Sequence, residues 1–75
     1  GPMSNRPSGS NPASAAAELH VITDTVERQR ERVAAVAEPF LGTDREDVVA
    51  TVVEAERQLL IATRALRRAI KSLER

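Results

Sequence analysis

Cysteine, tryptophan and tyrosine are all missing from this 75-residue chain, and phenylalanine occurs once. The first absence removes any disulfide staple and any thiolate nucleophile or metal ligand, so the sequence neither requires nor indicates an oxidising compartment. The scarcity of aromatics removes the rings on which nucleic-acid bases stack and the anchors with which a basic helix lies on a membrane. It also argues against a sheet, whose cores draw on aromatic side chains. No apolar run approaches the roughly 18 residues that span a bilayer. The N-terminus has no apolar signal core, so a cytoplasmic location is expected. Nor is there an excess of one charge, because 11 Lys and Arg balance 11 Asp and Glu.

What remains is aliphatic. Eight Val, six Leu and three Ile with twelve Ala supply most of the 41% apolar content, the composition of packed helices in one small domain. Ten of the eleven basic residues are Arg, a bias expected of a GC-rich bacterial genome. Gly1-Pro2 ahead of Met3 reads as a protease-cleavage scar left by cloning. The stretch from Met3 to Pro12 (MSNRPSGSNP) has nothing to bury and cannot offset the entropy of ordering. Residues 1–12 are therefore assigned to the scar and a disordered arm, and 13–75 to a helical hairpin.

Helix 1 is expected over about 13–38. Asn11 offers a cap oxygen with Pro12 in the first turn, or Ser14 caps a slightly later start. Ala15, Leu19, Ile22, Val26, Val33, Val36 or Ala37, and Phe40 then recur at helical spacing. Glu38-Pro39 disfavours helical geometry at Glu38, and Gly42 suits the left-handed position past a helix end, which places a turn at 39–43. Thr43-Asp44-Arg45-Glu46 reads as a capping box that opens helix 2, about 44–74. A short turn between two helices dictates antiparallel packing.

The fold class expected is all-α, an antiparallel two-helix hairpin pairing into a homodimeric four-helix bundle. On helix 2 the main seam reads Val48, Val52, Ala55, Leu59, Ala62, Leu66, Ala69, Ile70 and Leu73. Val49, Val53 and Leu60 lie about 100° around and need a partner, while Ile61 stands among arginines opposite. The candidate dimer or partner seam is therefore Val49, Val53 and Leu60 with Leu59, Leu66 and Leu73. A lone hairpin of this size buries little, and small helical proteins commonly solve that by oligomerising.

Neutrality hides a dipole. Residues 38–56 carry a net charge of −5 and residues 57–75 a net charge of +5. Arg57, Arg64, Arg67, Arg68, Lys71 and Arg75 share one face of helix 2, and His20, Asp24, Glu27, Glu31 and Glu38 form an acidic stripe on helix 1. Acids at the start and bases at the end of helix 2 complement its macrodipole, and an antiparallel neighbour pairs acidic with basic halves. The same basic face is a candidate surface for an acidic partner protein. Nucleic acid is disfavoured by zero net charge and missing aromatics, and a membrane by missing Trp and Phe anchors.

Gln29 and Arg30 interrupt the helix 1 seam where an apolar pair belongs. Antiparallel pairing about residue 41 brings them near Glu54 and Glu56, a polar layer of Gln29, Arg30, Glu54 and Glu56 that would fix register and oligomeric state. Di-metal bundles use a Glu-x-x-His set, which the His20-x3-Asp24-x2-Glu27-x3-Glu31 pattern lacks, so no metal or other cofactor is expected. The only His has no nucleophile at helical spacing and the chain has no Gly-rich phosphate loop, so no enzyme is expected. The hairpins exported by type VII secretion carry a Trp-x-Gly turn and a Tyr-containing tail; here the turn is Glu38-Pro39-Phe40-Leu41-Gly42, and no family resemblance is drawn. The function expected is a protein–protein interaction module, an adaptor, scaffold or regulatory subunit, that pairs with itself and with another protein. A nucleic-acid-associated regulator working through the basic face is the alternative.

Overall fold

The computed structural model describes residues 11–75, which form two long helices packed antiparallel as a hairpin. The expected N-terminal arm falls mostly on residues 1–10, outside the described residues. Helix α1 spans Pro12–Ala37. Its first turn is closed by Asn11, whose Oδ1 accepts from the Ser14 amide at 3.0 Å, and Pro12 takes a position whose missing N–H needs no partner.

The connection differs from expectation in two places. Glu38 stays helical (φ −54°, ψ −45°) despite the following proline, because the chain tightens into a 3-10 turn over Glu38–Phe40. Leu41 then turns extended and Gly42 adopts a φ of +73°. Helix α2 begins two residues late, spanning Glu46–Glu74. The capping residues act, but displaced: Thr43 Oγ1 accepts from the Arg45 amide at 3.1 Å and donates to the Phe40 carbonyl at 2.6 Å. Glu46 reaches past Thr43 to the Gly42 amide, at 2.7 Å.

The helices meet along a heptad seam. On α1 the inward positions are 16, 19, 23, 26, 30, 33, 37 and 40, and on α2 they are 49, 52, 56, 59, 63, 66, 70 and 73, all buried or half-buried. Written as heptads, Ala16, Thr23, Arg30 and Ala37 take a and Leu19, Val26, Val33 and Phe40 take d; Val49, Glu56, Thr63 and Ile70 take a and Val52, Leu59, Leu66 and Leu73 take d. The expected main seam is thus shifted on its d neighbours. Val48, Ala55, Ala62 and Ala69 of α2 leave the seam for the g flank, as do Ala15, Ile22, Gln29 and Val36 of α1. Half of the a positions are polar, and two of them are tolerated because threonine satisfies itself inside a helix: Thr23 Oγ1 donates to the Leu19 carbonyl at 2.7 Å and Thr63 Oγ1 to that of Leu60 at 2.8 Å.

Burial is shallow. Among the described residues only Ala16, Thr23, Ala37, Thr63 and Ile70 are buried, and of these Thr63 alone is fully enclosed. The hairpin measures 56 × 26 × 13 Å, a single layer about one helix thick.

Candidate interaction surfaces

One flat side of the hairpin is built from the e positions of both helices, which face each other in antiparallel pairing. His20 Nε2 lies 3.5 Å from Glu74 Oε2, and Arg67 Nη2 donates to Glu27 Oε2 at 3.5 Å. Toward the turn the same flank becomes apolar, with Ala34 and Leu60 half-buried and Val53 exposed. The acidic stripe therefore meets part of the basic face inside one chain. A shallow hollow of about 250 Å³ sits there, lined by His20, Thr23, Asp24, Arg67, Ile70, Lys71 and Glu74.

Glu27 is the hub of this flank. Arg30 Nη2 donates to its Oε1 at 2.9 Å along α1 while Arg67 approaches from α2. The Arg30 hydrogen bond and charge hold the Glu27 carboxyl below its ordinary range, against partial desolvation, with Thr63 and Arg67 adding to the drop.

The expected polar layer is rearranged. Arg30 and Glu56 do occupy seam positions, half-buried, but Arg30 turns to Glu27 rather than to Glu54 or Glu56, and its Nε is buried without a hydrogen-bond partner. Gln29 and Glu54 are exposed instead of buried in the seam. Gln29 accepts from Arg32 at 3.4 Å; Glu54 accepts from Arg57 at 2.9 and 3.1 Å and from Gln58 at 2.8 Å, which lowers its carboxyl pKa. Antiparallel geometry could not by itself reveal this, because a local i,i+3 partner keeps a long side chain on its own helix.

Of the expected partner seam, Val49, Leu59, Leu66 and Leu73 lie in the hairpin's own seam, Leu60 is half-buried on the e flank and Val53 is 52% exposed there. Within the basic face, Arg67 and Arg57 hold ion pairs, whereas Arg64, Arg68, Lys71 and Arg75 form none among the described residues. Arg45 and Asp47 make a further two-bond pair at 3.0 and 3.1 Å that lowers the Asp47 carboxyl pKa.

The second flat side was not singled out by the apolar pattern alone. It holds the g positions of both helices, where Ile22 is 38% and Val36 57% exposed. On α2 it extends to the c positions Thr51, Gln58, Ala65 and Ser72. Sorting α2 by charge rather than hydropathy would have exposed it. Its charged residues Glu46, Asp47, Glu54, Glu56, Arg57, Arg64, Arg67, Arg68, Lys71 and Glu74 occupy only a, b, e and f positions. Among the described residues no group of three His, Asp or Glu is placed to hold a metal ion, and no helix is long and apolar enough to cross a membrane. Compared with protein-family models, with the curated proteins and with the solved structures, the chain matches none.

Proposed function

We propose that the protein is a non-catalytic protein–protein interaction module that works as a helical dimer, in the manner of an adaptor, scaffold or regulatory subunit. The observation that carries this reading is how little a single hairpin encloses. Five described residues are buried, while Val21, Ile22, Val36, Leu41, Val53 and Ile61 stay exposed. A layer one helix thick has only one covered face per helix, and small helical domains gain the rest by association.

Arg64 and Lys71, seven residues apart, exposed and in no ion pair among the described residues, are the surface offered to an acidic partner. The nucleic-acid reading is weaker because Arg67 and Arg57 already neutralise Glu27 and Glu54. Light scattering at low and high salt tests the proposal: a mass of twice 8.2 kDa in both conditions is expected, and a monomer at every concentration would refute it.

A further inference from the structure

Resting on that reading, we infer that the second copy docks on the c and g side of α2, with the two α2 helices antiparallel across a two-fold axis at Ile61 and Ala62. The first support is the charge distribution. Over the 29 residues of α2, the c and g columns read Val48, Thr51, Ala55, Gln58, Ala62, Ala65, Ala69 and Ser72, with no charge to desolvate. This strip lies about 110° from the hairpin seam, so α2 can serve both contacts through different side chains, with its d residues between them.

The second support is the f column at the rim of that strip: Asp47, Glu54, Ile61, Arg68 and Arg75. Two acids precede Ile61 and two arginines follow it, each at seven and fourteen residues' distance. An antiparallel copy turned about Ile61 sets Asp47 against Arg75 of the second copy and Glu54 against Arg68 of the second copy, each pair occurring twice. Parallel pairing would set acid against acid and base against base. All five side chains are exposed in the hairpin, and Ile61, 43% exposed among charges, meets its own image. Arg68 and Arg75 form no ion pair within the chain among the described residues and so are open to these contacts, as second cations on Asp47 and Glu54, which hold Arg45 and Arg57 on their own helix.

The third support is size. The strip runs the whole 29 residues of α2, about 43 Å, and the g positions of α1 beside it extend the contact toward the roughly 800 Å² per partner of a stable complex. The small side chains of Ala55, Ala62 and Ala69 permit close approach of the two helices. The opposite flat side carries His20, Glu27, Arg67 and Glu74, which a second copy would have to desolvate.

The test compares A62R with V53R, both exposed sites on opposite sides of α2, by sedimentation at several concentrations, with helicity by circular dichroism to verify folding. A62R is expected to weaken the dimer at least about 100-fold and V53R to leave it intact. A dimer that survives A62R but not V53R, or survives both, overturns the assigned side while leaving the proposed function standing; a monomeric wild type overturns both. A charge exchange fixes the orientation. E54R and R68E are each expected to weaken the dimer by roughly tenfold, and the double variant to restore it, because each rim pair is then reversed but intact. No recovery in the double variant overturns the antiparallel arrangement.

Discussion

Glu27 of α1 and Arg67 of α2 bridge the hairpin at 3.5 Å, and Glu27 is simultaneously held by Arg30 at 2.9 Å, so one carboxylate ties the sequence interruption of α1 to the basic half of α2. Because the Glu27 carboxyl pKa is lowered from its ordinary 4.5, the unfolded chain binds its proton more readily than the folded one. Its contribution to stability is therefore complete above about pH 5 and is lost as pH falls through the lowered value. Thermal melts at pH 7 and below pH 4 are expected to show acid destabilisation, shared with Glu54 and Asp47. The E27Q variant should be less stable than wild type at pH 7 and show a smaller drop on acidification. An unchanged acid slope would remove Glu27 from this role.

Arg30 occupies a seam position with a buried, unpartnered Nε. A hydrocarbon of similar reach there fills the seam and relaxes its register, but it also strips Glu27 of its 2.9 Å partner. R30L is expected to stay folded with no gain in thermal midpoint, and to shift or broaden the mass distribution in light scattering. An unchanged mass would sink the register role.

Gly42 has a φ of +73° and no atom within 4 Å of where a Cβ would stand. The expense of G42A is thus conformational rather than steric, roughly 1 kcal/mol, and chemical denaturation should show it. Asparagine at the same site should lose less, since it tolerates the left-handed region.

Ile70 is 4% exposed and Val21 62% exposed. I70A should lose roughly 2–4 kcal/mol by removing buried methyl groups, enough to unfold a domain this small. V21A should stay within about 0.5 kcal/mol. Equal effects would contradict the seam.

The number of helices, their antiparallel pairing, the left-handed Gly42 and, as one of two candidates, the Asn11 cap were legible in the sequence, because each depends on local chemistry. The seam was not. Counting apolar residues selects d with g, for Ala15, Ile22 and Val36 as for Val48, Ala55, Ala62 and Ala69; the hairpin closes on d with a. Glu56, Thr23 and Thr63 look like surface residues in a hydropathy count, yet two of them hide their hydroxyls against their own helix. Arg30 and Glu56 stand half-buried at seam positions, but their partners depend on which rotamer reaches which carboxylate, and that is set in three dimensions.

The short link between Ala37 and Glu46 also orders the way the chain assembles. Contacts beside the turn join residues only a few apart, while Glu27 and Arg67 are 40 apart and His20 and Glu74 are 54 apart. Since the entropy of closing a loop rises with its length, by about 0.6 kcal/mol per doubling, closure is expected to start at Phe40 and Gly42 and run outward. The zipper's last tooth would then be the end where Asn11, Leu73 and Arg75 line a common hollow, and amide exchange is expected to be fastest there.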